Sequence, residues 1–136
     1  VIGGEGNGGV IYPASHYGRD ALVGIGLFLT HLAKSGKTMT ETRASYPQYH
    51  ISKNKIELTA GMDIDQLLLD VEARYRDQPY STIDGLKIEF DKSWVHLRKS
   101  NTEPIIRIYS EAKDEPTAEA LAQKIITDIK EVLNIQ

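Results

Sequence analysis

Cysteine is absent from the 136 residues, which removes disulfide scaffolds, thiolate zinc sites and cysteine nucleophiles. Aromatics are sparse at 7%, with Trp94 the single tryptophan, so a base-stacking platform has few side chains to draw on. Positive charge is not in excess. Sixteen Lys and Arg face 19 Asp and Glu, a net charge of −3. Bulk electrostatics therefore attract no polyanion, no nucleic-acid partner is expected, and any phosphate recognition must be local. Long hydrophobic runs are missing as well. The longest, residues 21–29, is nine residues with two glycines, far short of the ~20 that cross a bilayer, and no membrane partner is expected. The chain opens on Val1 rather than a methionine and shows no basic leader, so we expect no signal peptide and a cytoplasmic location.

What remains is an ordinary globular composition, 40% apolar and 26% charged, in two unequal blocks. Residues 1–45 read as the end of a larger unit. Val1-Ile2 suits the tail of a strand, and five glycines among residues 3–9 make a loop. A glycine-rich loop so near residue 1 suggests a piece of a longer chain. Val10-Ile11-Tyr12 suits a short extended piece, and Pro13 halts it. Asp20 is placed to cap a helix to about residue 34, with Gly36 just past its end. That helix is apolar on nearly every face, from Ala21 through Leu32, and wants cover on more than one side. Gly24 and Gly26 within it predict close neighbours. Thr38-x-x-Glu41 has the spacing of a capping box for a second helix.

Residues 46–136 read as a complete α+β domain of order β-α-β-β-β-α with an antiparallel sheet. Ile51, Ile56 and Leu58 mark an early strand or hairpin. Asp63-x-x-Gln66 opens a helix with Ile64, Leu67, Leu68, Val71 and Tyr75 on one face. Leu86, Ile88 and Phe90 alternate with Lys87, Glu89 and Asp91, the pattern of a half-buried strand. Further strands are expected over residues 94–98 and 105–112. Pro116 starts a last helix whose stripe is Leu121, Ile125, Ile129, Val132 and Leu133.

Two motifs imitate nucleotide sites. Gly4-x-Gly6-x-x-Gly9 matches a dinucleotide pattern, but the helix required there is replaced by Val10-Ile11-Tyr12-Pro13. Gly36-Lys37-Thr38 resembles the end of a P-loop, yet a helix precedes it and His31 stands where the first glycine belongs. It reads as a helix end.

The strongest segment is Arg98-Lys99-Ser100-Asn101-Thr102-Glu103-Pro104, with Arg107 beyond it, between two predicted strands. Arg98 offers a planar fork of donors matched to phosphate, and Ser100 and Thr102 add hydroxyls. Asn101 adds an amide and tolerates the positive φ that turns N–H groups inward as an anion nest. The same residues also suit a plain polar hairpin tip. In Gly3-Gly4-Glu5-Gly6-Asn7-Gly8-Gly9, Glu5 and Asn7 are the only side chains, a pairing able to hold sugar hydroxyls; a flexible connector reads equally well. His16, His31, His50 and His96 lack metal-ligand spacing. His96 in a strand reads as structural, His31 as packed or capped. His16 sits in a polar loop and is the acid/base candidate.

Together the two segments resemble the α-D-phosphohexomutase family. The glycine segment is similar to the sugar-recognition loop of that family's third domain. The segment from Arg98 to Pro104 is similar to the phosphate-binding loop of its fourth. Asp84-Gly85-Leu86-Lys87-Ile88 and Gly18-Arg19-Asp20-Ala21 add to the likeness, which spans the whole chain. It implies that residues 1–45 end the third, α/β domain and that residues 46–136 are a TATA-binding-protein-like α+β domain.

The implied activity is the interconversion of hexose 1-phosphates and 6-phosphates through a phosphoserine and a bisphosphorylated sugar. Arg98, Ser100, Asn101, Thr102 and Arg107 would bind the substrate phosphate, and Glu5 and Asn7 the sugar. The likeness also implies a magnesium ion held by an aspartate-rich loop outside this chain, hexose phosphates as ligands, and missing N-terminal domains as partners. The family's serine and metal loops have no counterpart here, so no catalytic and no metal-binding residue is expected, and the chain alone should be inactive. Many relatives carry serine at the position of Asn7 and histidine at that of Gly9. A stand-alone phosphosugar-binding module is the alternative; a nucleic-acid domain of similar shape is opposed by the charge.

Overall fold

The computed structural model describes residues 1–4, 8–59 and 61–133. It divides into two compact units, Val1–Pro47 and Gln48–Gln136.

In the first unit, strands β1 (Gly3–Gly4), β2 (Val10–Tyr12) and β3 (His16–Arg19) form an antiparallel sheet in that order. Helices α1 (Ala21–Ser35) and α2 (Met39–Ala44) follow. Short-range capping sets both helices. The Asp20 carboxylate accepts from the Val23 N–H at 3.0 Å, and Gly36 ends α1 at φ +64°, the left-handed turn glycine adopts without strain. Thr38 and Glu41 form the reciprocal capping box anticipated for α2.

Three expectations here need correcting. The strand near the start is Gly3–Gly4 rather than Val1-Ile2. His16 lies in β3, not in a loop. An added Cβ at Gly24 would stand 3.0 Å from Val10 Cγ2, the close approach expected, whereas one at Gly26 would meet nothing within 4 Å. No residue of α1 is buried.

The second unit runs β4 (His50–Glu57), α3 (Ile64–Arg74), β5 (Tyr80–Ser81), β6 (Leu86–Phe90), β7 (Ser93–Lys99), β8 (Ile105–Ala112) and α4 (Glu115–Leu133). Its five-stranded sheet has the order β4-β8-β7-β6-β5, every pair antiparallel. The expected order is kept, with β5 added. Its two residues pair with Ile88 and Lys87, too short a run to leave a period in the sequence.

Alternation along the strands divides the sheet into two faces. Leu86, Ile88, Val95, Leu97, Ile106 and Ile108 are buried in one cluster with Leu67 and Val71 of α3 and Ile125 and Ile129 of α4. Each such side chain contributes about 1.5–3 kcal/mol of burial. Polar groups inside are satisfied: Ser110 Oγ donates to the Ala118 carbonyl at 2.7 Å. Tyr75 and Lys124 both bond Asp128, which also pairs with Arg74 at 2.9 Å. The opposite face carries the polar set: Lys53 and Lys55 of β4, Arg107 of β8, and His96 and Arg98 of β7.

Candidate functional site

The β7–β8 hairpin positions the candidate phosphate residues. Arg98 and Arg107 are directly opposed across the ladder, so both guanidinium stems rise from the polar face. The connection is closed by the Ser100 N–H donating to the Ile105 carbonyl at 3.0 Å. It is anchored at its exit by Leu58 N–H donating to the Pro104 carbonyl at 2.8 Å. The two hydroxyls of the bend are neighbours: Ser100 Oγ lies 3.5 Å from Thr102 Oγ1 and accepts from the Thr102 N–H at 3.4 Å.

One expectation fails at this bend. Among the described residues only Lys92 is a non-glycine with positive φ, so Asn101 is not left-handed and the inward-turned nest does not form through it. Hydrogen bonding explains this. With the Ser100 N–H committed across the hairpin, the bend is shaped by the strands and by Ser100 Oγ. The Asn101 amide makes no hydrogen bond among the described residues.

Arg98 is held by a residue to which the sequence reading gave no role. Its Nη2 is 3.1 Å from Asp84 Oδ2, a one-point contact that leaves the other donors of the fork free. The carbonyl of Asp84 is in turn bonded to His96 Nε2. The turn can stand this close to β7 only because Gly85 follows. At φ +76° an added Cβ would lie 2.1 Å from the Leu97 carbonyl oxygen, which no side chain tolerates. The Asp84-Gly85 dipeptide was the signal available, but its spatial partner was not readable. A cavity of about 460 Å³ is lined there by Asp84, Gly85, Arg98, Lys99 and Asn101 among others. Lys99 is bound to Asp65 of α3 at 2.6 Å.

The structure thus brings Arg98 and Asn101 to one cavity and Ser100 to Thr102. Arg107 is placed opposite Arg98 but lines a different, shallower depression with Lys53, Lys55 and Tyr109. Glu5 and Asn7 lie outside the described residues.

The histidines take supporting roles. His16 Nδ1 accepts from the Gly18 N–H at 2.9 Å, so its proton sits on Nε2, 3.0 Å from Asp20. Both ring nitrogens are engaged in steadying the α1 cap. His31 is exposed, 3.5 Å from the Tyr46 hydroxyl. Among the described residues no three His, Asp or Glu side chains converge as metal ligands. The described residues offer no donor set that fits a magnesium ion. No helix is long and apolar enough to cross a membrane among the described residues.

Comparison with known proteins decides the family. Residues 55–127 match the model of the phosphoglucomutase/phosphomannomutase C-terminal domain, and residues 1–49 match that of its alpha/beta/alpha domain III. The chain belongs to the phosphoglucomutase/phosphomannomutase family. It is 39% identical over 133 residues to a phosphoglucomutase/phosphomannomutase of Thermococcus kodakarensis, covering 98% of this chain and 29% of that protein. It is 37% identical over 127 residues to a phosphoglucosamine/phosphogalactosamine mutase of Sulfurisphaera tokodaii, covering 92% and 28%. A crystal structure of a family member from Burkholderia thailandensis shares the fold at a TM-score of 0.69 and 22% identity, over 96% of this chain and 28% of that one. The chain therefore corresponds to the C-terminal portion of these relatives and spans under a third of their length.

Proposed function

We propose that this chain is the substrate-holding end of a phosphohexomutase that interconverts hexose 1-phosphates and 6-phosphates through a phosphoserine and a bisphosphorylated sugar. In this reading residues 46–136 form the phosphate-binding domain, and residues 1–45 end the sugar-recognition domain with Glu5 and Asn7. The serine and the magnesium ligands belong to other parts of the parent polypeptide, so this chain alone transfers no phosphoryl group. Those parts would also cover the apolar faces of α1, where Leu22 is 80% and Leu29 54% exposed.

One observation carries the proposal: Arg98 and Arg107 are paired across the ladder, on the same sheet face, at the mouth of a hairpin whose bend presents the Ser100 and Thr102 hydroxyls. Guanidinium forks with adjacent hydroxyls suit the oxygens of a phosphate monoester. Such a site lies remote from the reacting bond and supplies positioning to the transfer.

The test is a chemical-shift titration of the chain with glucose 1-phosphate and glucose 6-phosphate. Both should move the amides of Ser100, Asn101 and Thr102 in the millimolar range, and Arg98→Ala should abolish the effect. Titrations that leave those amides still, or an Arg98→Ala variant that responds as the parent does, would overturn the assignment.

A further inference from the structure

The pairing register shows a feature that the loop does not explain. Lys55 of β4 opposes Arg107 of β8, and Arg107 opposes Arg98 of β7. Three cations therefore form one transverse row across three strands. They share the polar face, because their neighbours Ile56, Ile106 and Leu97 are all buried on the other.

Directly opposed like charges destabilise a sheet, and sheets ordinarily interleave signs. The carboxylates that reach this row stand at its ends. Glu57 is 3.0 Å from Lys55 Nζ, and Asp84 meets Arg98. The Arg107 side chain, in the middle, has no hydrogen bond or ion pair among the described residues. Lys53 stands two residues along the same face, its Nζ 5.8 Å from the centre of the Tyr109 ring. Lys53, Lys55, Arg107 and Tyr109 all line one open depression of about 340 Å³.

We propose that Lys55 is a further phosphate-binding residue, and that the row Lys55–Arg107–Arg98 is a single anion site extending the loop site across the sheet face. This rests on the reading of the loop given above. Its ligand is a phosphate dianion, free or as a sugar monoester. Arg107 supplies the unengaged fork at the centre, Arg98 the fork on the loop side, and Lys55 a mobile point charge on the far side. In the unliganded chain the row is a standing repulsion that an anion relieves. Glu57 occupies Lys55 until it does.

Inorganic phosphate and glucose 6-phosphate, titrated into the 136-residue chain by calorimetry and by amide shifts, test this with three variants. Lys55→Gln should weaken phosphate binding about three- to tenfold, the worth of one solvent-exposed hydrogen bond, without lowering the melting temperature. Glu57→Gln, which frees Lys55, should tighten binding about two- to threefold by removing a competing carboxylate. Arg98→Ala should abolish it. Were Lys55 only a partner for Glu57, neither of the first two variants would change binding, and that result overturns the inference. If binding is unchanged in Lys55→Gln but lost in Arg98→Ala, the inference falls and the loop reading stands. If Arg98→Ala binds normally while Lys55→Gln does not, the three-residue row and the loop reading both fall.

Discussion

The two units of the chain are held together by different means. Every hydrophobic residue of the buried core belongs to Gln48–Gln136, whereas Val1–Pro47 buries only Thr42 among its described residues. The second unit closes a sheet and two helices around shared side chains. The first has well-made ends: a carboxylate cap, a left-handed glycine and a reciprocal capping box. Its longest helix nevertheless leaves Leu22, Ile25 and Leu29 more than half exposed. Caps decide where a helix starts and stops; they do not supply a core. Local signals can therefore be complete in a region whose burial is not.

That contrast is sharpest for large-to-small substitutions. Ile108→Ala, at a fully buried position, should cost about 2–5 kcal/mol through lost burial and a residual cavity. Leu22→Ala should change stability by less than about 0.5 kcal/mol. Denaturation followed by circular dichroism measures both. A comparable loss in Leu22→Ala would show that α1 is packed in solution.

Alkaline pH should come next and act on the second unit. Burial first, and then the bond to Asp128, hold the Tyr75 hydroxyl above the ordinary value of 10.0. The bond to Tyr75 chiefly raises Lys124 above 10.5. Both groups keep their protons longer in the folded chain. Their stabilisation is therefore complete below about pH 10 and fades as pH rises through the raised values. For Tyr75 the slope is at most about 1.4 kcal/mol per pH unit. Urea midpoints between pH 8 and 11 should fall, and Tyr75→Phe should flatten the fall; an unchanged slope in that variant would remove Tyr75 as its source.

The smallest effect belongs to the first unit. The Val23 N–H, and then His16, hold the Asp20 carboxyl below its ordinary 3.8. Its cap is fully present above that value and is lost as pH falls through the lower folded one. The Val23 amide shift should report a local step there, absent in Asp20→Asn. A step that persists in that variant would exclude the cap as its cause.

Most of the fold was legible because its signals are local or periodic. Strand alternation found β6, and Asp63, whose carboxylate accepts from the Gln66 N–H at 3.0 Å, began α3. What was not legible depends on distant chain. Strand β5 exists only because Tyr80 and Ser81 lie beside β6. Gly26 and Gly24 look alike in sequence, yet only Gly24 has Val10 against it. At the candidate site, the chemistry of Arg98, Ser100, Thr102 and Arg107 could be read from residue type. The conformation of Asn101 could not, since cross-strand bonds decided it. Asp84 escaped because its meeting with Arg98 is a product of the sheet register, and the Lys55–Arg107–Arg98 alignment joins residues as much as 52 positions apart for the same reason.

The open rim of the second sheet has a consequence for association. Strand β4 is eight residues long and, among the described residues, has a neighbour on one side only, while the other rim ends in the two-residue β5. Unmatched N–H and C=O groups over such a length invite a further strand, and lysines are a common deterrent. Lys53 and Lys55 stand on that rim, so a second copy laid edge to edge would bring ammonium groups beside ammonium groups. The charges placed to grip an anion would then also keep the chain from polymerising through its own β-structure.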